Sequence, residues 1–211
     1  MNQQKKTRTE IKHEAIIDGA IREFSAKGFR RTSMDSIAKA AQVSKRTVYT
    51  HFNSKDELFA FIVKKMFSIT AESTKISYNT HIDIKTQLLC FARAEIELAK
   101  GQDYRALVRI LLAECIYSPE LTLGVIAEIY EKEEDLDLFI KDAIADRKLQ
   151  TVEATYAATQ FKGIIKGIAF WPQVMMNAPS PDGAISEQLA QDAVMMFLSR
   201  YAAQTESINT P

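Results

Sequence analysis

Three features of this 211-residue chain predict an all-α fold. Glycine and proline are sparse, at 7 and 5 residues, so few positions favour turns. Apolar residues recur at spacings of three and four, the helical period, and no segment reads convincingly as a strand. With 46% apolar residues the chain can build a substantial core, which argues against a disordered, collagen-like or low-complexity protein.

The first helix is expected to open at Thr9, to present Ile17, Ala20, Ile21 and Phe24 on one face, and to close at Lys27-Gly28, where glycine takes a left-handed cap. Residues 31–59 then carry three helix starts in succession: Thr32 with Asp35, Ser44, and Ser54 with Glu57. Such punctuation predicts two short helices and then a long one, whose apolar pattern continues from Ser54 through Leu58, Ile62, Met66 and Ile69. After a polar SYNTH loop at 77–81, Ile84, Leu88, Phe91, Ala92, Leu98 and Ala99 mark a helix ending at Lys100-Gly101. Asp103 is placed to cap the next, with Leu107, Ile110, Leu111 and Cys115 on its apolar face. Ser118-Pro119-Glu120 reads as N-cap, proline in the first turn and an acid complementing the helix dipole. An acidic helical region covers 128–146. A helix from about Val152 carries Phe161, Ile164, Ile165, Ile168, Trp171 and Met175 and is expected to break near Pro172. The loop NAPSPDG precedes a last helix with Ile185, Leu189, Ala193, Met196, Phe197 and Tyr201, and the closing TESINTP is expected to fray.

The net charge of zero conceals a division. Residues 1–65 hold 14 Lys and Arg against 7 Asp and Glu, while residues 66–211 hold 13 against 20, so +7 is followed by −7. A basic first third suits a polyanion, and an acidic remainder is repelled by one. Cys90 and Cys115 lie in apolar helical stretches without metal-binding spacing and are expected as buried free thiols. The three histidines, His13, His51 and His81, show no metal-ligand spacing, and no phosphate loop, nucleophile elbow or zinc-protease motif occurs, so neither a cofactor nor catalysis is expected. No run of 18 apolar residues occurs, and a soluble cytoplasmic protein without membrane contact is the expectation.

The chemistry concentrates in residues 33–52. On the first short helix Met34, Ile37, Ala38 and Ala41 face inward; on the second, Val48 and Phe52 do. Arg46, Thr47, Tyr49 and Thr50 are left facing outward, with Ser44 and Lys45 at the leading end. Eight residues from Ser44 to His51 span about 12 Å, the width of a B-DNA major groove. Arg46 is suited to a guanine edge, Lys45 to base or phosphate, Thr47 and Thr50 to polar base atoms or a thymine methyl, and Tyr49 and His51 to phosphates. Thr32, Ser33 and Met34 begin one helix and Lys55 another, so backbone N–H groups there add to anion binding.

The stretch TSMDSIAKAAQVSKRTVYTHFNSKDELF resembles the DNA-binding segment of TetR/AcrR-family bacterial regulators, and AIREFSAKGF before it fits the same pattern. LVRILLAE and QFKGIIKGIAFWP resemble the AefR-like type of C-terminal domain. The resemblance implies a three-helix DNA-binding head with a helix-turn-helix, joined by a long helix to a helical ligand-binding and dimerisation body. The expected division is 1–55 for the head, with 1–8 a flexible tail, 56–206 for the body and 207–211 a disordered tail. Gln42 departs from the family pattern, which usually has glycine in the turn; a left-handed Gln42 costs about 1 kcal/mol. Arg109 and Glu114, inside LVRILLAECI, are expected to form a structural salt bridge, with ligand recognition as the alternative. Phe91, Tyr104, Arg109, Tyr117, Trp171 and Met175 are candidate ligand-binding residues, with core packing the competing reading for the aromatics and methionine. Gly163 and Gly167 would let a partner helix approach, and broad apolar stripes on the last two helices favour a homodimer. The implied function is a sequence-specific repressor released from a palindromic DNA operator by a small-molecule effector. The alternatives are a helix-turn-helix protein-interaction module without operator binding and, weaker, an enzyme with a helical cavity.

Overall fold

A computed structural model describes residues 7–130 and 135–203. Those residues form eleven helices: α1 (Arg8–Lys27), α2 (Met34–Ala40), α3 (Lys45–His51), α4 (Lys55–Ser73), α5 (Ile84–Lys100), α6 (Gln102–Tyr117), α7 (Pro119–Tyr130), α8 (Asp135–Ala145), α9 (Ala154–Ala169), α10 (Trp171–Met176) and α11 (Gly183–Tyr201). Among the described residues the only β-type pairing is an isolated antiparallel bridge between Leu149 and Ala202.

Helix boundaries depart from expectation where two hydroxyls compete for one cap. α1 is capped by Thr7, not Thr9, through a reciprocal box with Glu10, so Thr7 and Arg8 belong to the helix rather than to a tail. α2 is capped by Ser33, whose hydroxyl accepts from the Ser36 N–H at 3.1 Å, and not by Thr32. Asp103 lies inside the first turn of α6 rather than before it. The prolines behave as expected: Pro119 opens α7, and Pro172 sits in the first turn of α10 after a break at Phe170. Cys90 is exposed and Cys115 is partly exposed, so the expectation of buried thiols fails; each lies beside the apolar stripe of its helix, not on it. The expected tails at 1–6 and 207–211 lie outside the described residues.

The described residues divide into two compact units, 7–68 with 106–130, and 69–105 with 135–203. In the first, Ile16, Ile17, Ala20 and Phe24 of α1 are buried with Ile37 and Ala38 of α2, Val48 of α3, and Leu58, Phe59 and Ile62 of α4. Phe24, Phe29 and Phe59 form an aromatic cluster, with ring centroids 4.9 to 6.1 Å apart. Gly19 permits the close approach of α1 to the turn after α2: a Cβ there would lie 2.9 Å from the Ala41 backbone nitrogen.

In the second unit α9 is the central helix, packed by α5, α8, α10 and α11. Phe91, Phe161, Phe197 and Tyr201 follow one another across it, with centroids 5.9, 4.9 and 5.0 Å apart. Gln87, a buried amide, receives the Asn79 N–H and donates to the Asn79 and Ile82 carbonyls, so one side chain satisfies the loop that precedes α5.

Candidate nucleic-acid interface

The first unit presents α2 and α3 around a three-residue turn whose geometry follows from its hydrogen bonds. Val43 N–H donates to the Ala38 carbonyl at 3.0 Å and Gln42 N–H to Lys39 at 3.1 Å, the paired closure of a Schellman motif. Gln42 occupies the left-handed position, with φ 55°. The turn therefore keeps its form without glycine, at a strain of about 1 kcal/mol.

Ser44 then caps α3, accepting from Thr47 N–H at 3.1 Å. Val48 is fully buried and anchors the helix, leaving Lys45, Arg46, Tyr49 and Thr50 exposed and Thr47 half-buried. The Thr47 hydroxyl is 2.8 Å from that of Ser44, and the Thr50 hydroxyl donates to the Arg46 carbonyl at 2.8 Å. Lys45 pairs with Asp35 of α2 at 2.8 Å and lies over the Tyr49 ring at 5.9 Å. Its hydrogen bond to the carboxylate raises the ammonium pKa, so the charge persists at every working pH. Both partners are well exposed, so water and salt weaken the pair.

Four of the residues expected at the interface have side chains turned into the protein. Thr32 is buried and its hydroxyl donates to the Gly28 and Glu23 carbonyls; its backbone N–H donates to Phe29. Met34 is buried against the core. The Lys55 ammonium donates to the Phe29 and Thr32 carbonyls at 2.8 and 3.0 Å and sits 4.3 Å over the Phe29 ring. It closes the Thr32 carbonyl and adds a second donor to that of Phe29, so its charge serves the fold. His51 is half-buried, with its Nδ1 3.4 Å from that of His13, so its ring turns toward α1. Burial, followed by the charges of His51 and Lys65, holds His13 below the usual imidazole range against the pull of Glu14. Ser33 remains exposed, but its hydroxyl and N–H both bond Ser36.

The ligand-binding candidates have diverse settings. Phe91 is buried in the core of the second unit. Tyr104 borders a narrow crevice with Glu95, Ile165, Lys166, Ala169 and Phe170. Burial and the nearby Glu95 carboxylate push the Tyr104 phenol up to about 12, with a hydrogen bond to Thr70 opposing them. Glu95 is buried with Lys166 3.6 Å away. Trp171 and Met175 lie at the surface. In the first unit Arg109 is half-buried, Tyr117 is exposed with the Arg30 guanidinium 5.7 Å over its ring, and buried Glu114 accepts from the Ser118 hydroxyl at 2.9 Å. Sequence reasoning missed Glu95 and Lys166, since a lone acid and a lone lysine on two separate helices give no local signal.

Residues 16–62 match the family model described as bacterial regulatory proteins, tetR family, and residues 86–203 match that of the AefR-like transcriptional repressor C-terminal domain. A TetR-family transcriptional regulator from Pseudomonas syringae pv. tomato is 35% identical and superposes with a TM-score of 0.80, over 92% of this chain and 98% of that one. The flavonoid-responsive regulator FrrA is 27% identical with a TM-score of 0.74, over 92% and 98%. An HTH-type transcriptional regulator of Bacillus subtilis, YhgD, is 34% identical over 77 residues, 35% of this chain and 40% of that protein. IcaR of Staphylococcus aureus, a negative transcriptional regulator of a biofilm operon, is 43% identical over 54 residues, 26% of this chain and 29% of its own length.

Proposed function

Because the chain belongs to the TetR family of bacterial transcriptional regulators and carries an AefR-like C-terminal domain, we propose that it is a homodimeric repressor whose α3 helices read two halves of a palindromic operator. The observation that carries this reading is the exposed face of α3, where Arg46, Tyr49 and Thr50 stand outward on a helix anchored by buried Val48. Arg46 is the base reader, and Lys45, Thr47, Tyr49 and Thr50 add base and phosphate contacts. The backbone N–H groups at the start of α4 serve a phosphate, in place of the engaged Lys55 side chain.

The head is residues 1–55 and the regulatory body 56–206. Dimerisation uses the region from α9 to α11, where Tyr156, Ile168, Trp171, Ile185, Met195 and Met196 are exposed and nothing crowds Gly163 or Gly167. Exposed apolar side chains in this number, with glycines that admit a helix backbone, support a helix-on-helix interface between copies. Twofold protein symmetry then matches a twofold operator. A small molecule bound in the body releases the operator by preferring the arrangement of the dimer that does not bind DNA.

Selection of bound duplexes from a random pool, followed by gel shift with the selected and scrambled sequences, tests the reading. A palindromic consensus with salt-dependent but sequence-selective binding is expected. Equal binding of both sequences at every salt concentration overturns it and favours a protein-interaction module.

A further inference from the structure

We propose that the first unit carries a transition-metal site in which His13 of α1 and His51, the last residue of α3, supply two imidazole nitrogens to one divalent ion of the zinc type. Their Nδ1 atoms are 3.4 Å apart although 38 residues separate them in the chain. Two nitrogens bound at about 2.0–2.1 Å to one tetrahedral ion are separated by about 3.3 Å, the edge of the coordination tetrahedron. The pair is already spaced as two ligands.

The ring of His13 is held on three sides. It stacks on Phe52 at 5.1 Å and 23°, meets Phe61 edge-on at 5.2 Å, and lies 5.3 Å from the His51 ring. Packing of this kind fixes the direction of a donor lone pair before an ion arrives. The two rings border an open cavity of about 280 Å³ that is also lined by Glu10, Glu14 and Lys65. Glu10 and Glu14 lie three residues before and one residue after His13 on α1. Among the described residues no three His, Cys, Asp or Glu side chains yet converge on one point. Glu10 is committed to the Thr7 cap, so Glu14 turns inward on binding and water completes the set. Two imidazoles, a carboxylate and water suit Zn²⁺, Co²⁺, Ni²⁺ or Cu²⁺ and not Mg²⁺ or Ca²⁺, which take oxygen ligands. Lys65 opposes a dication, so the site is weaker than a closed four-ligand one. A bound ion cross-links α1 to the end of α3 and so restrains the recognition helix.

The full chain is titrated with Co²⁺, whose visible absorption reports nitrogen ligation, and then with Zn²⁺. The expected result is one saturable equivalent per chain, displaced by Zn²⁺. His13→Gln and His51→Gln each weaken it by at least about 100-fold, beyond the 10–100-fold lost with an outer partner. His81→Gln and Cys90→Ser leave it unchanged. Since either key substitution also removes a packed ring, the histidine NMR signals of the unsubstituted chain are followed alongside: Zn²⁺ moves those of His13 and His51 and not His81. Absence of a saturable equivalent, an undiminished band in His13→Gln, or movement of His81 alone overturns the site.

Discussion

Replacing Gly19 by alanine places a methyl group 2.9 Å from the Ala41 nitrogen and 3.0 Å from the Ala41 Cβ. Carbon atoms prefer about 3.5–4.0 Å, so α1 and the turn after α2 have to separate by roughly half an ångström. Overpacking of this kind costs about 1–3 kcal/mol, against about 1 kcal/mol recovered because alanine is the better helix former. Gly124, inside α7 with nothing within 4 Å of its Cβ, supplies the matched control. Gly124→Ala should gain the propensity term alone and raise Tm by about 2–4 °C, while Gly19→Ala should leave Tm unchanged or lower it by up to about 8 °C. Calorimetry of the full chain reads both, and gel shift should show Gly19→Ala alone weakening operator binding, because the displaced turn aims α3. Equal stabilisation by the two substitutions would refute the argument that this contact sets the position of the turn.

Arg46→Ala should weaken selected-operator binding by about 1–3 kcal/mol and relax the preference at one base pair, whereas Lys45→Ala should weaken specific and scrambled DNA alike; gel shift across salt separates them. Lys55→Met keeps the stem but leaves the Thr32 carbonyl without its donor and the Phe29 carbonyl with the Thr32 N–H alone, and a loss of about 1–3 kcal/mol is expected in urea melts. Tyr104 is held neutral by burial, with its folded pKa pushed up to about 12 from an ordinary 10. A raised pKa means that its contribution is complete below pH 10 and is lost as pH rises from 10 to 12, at a slope of at most about 1.4 kcal/mol per pH unit. Tyr104→Phe should remove that slope in melts across this range and delete one late-titrating phenol from the tyrosinate absorbance.

Local signals on short segments reached far into the fold. Ser44, Val48 and Phe52 carry enough information within nine residues to place a capped helix and its outward face, and the Lys100-Gly101 and Ser118-Pro119 boundaries rest on equally local chemistry. The departures share a different cause. Thr32 and Ser33 are equally able caps, and the choice between them is made by the Glu23 and Gly28 carbonyls, which draw the Thr32 hydroxyl inward. Lys55 reads as an interface cation until the chain brings Phe29, 26 residues away, beneath it. His51 looks solvent-facing until His13 is found beside it. Gly19 shows no mark in the sequence, because the atom that requires glycine there belongs to Ala41.

The Lys55 ammonium also has a mechanical consequence. A helix joined to what it carries by backbone alone can pivot, and its rotation dissipates in the linking residues. Lys55, the first residue of α4, instead grips the Phe29 and Thr32 carbonyls on either side of the bend between α1 and α2. A twist applied to the beginning of α4 therefore acts on that bend as torque rather than slack. The base of α4 is thus held to that bend by a charged clamp in addition to the buried Leu58 and Phe59.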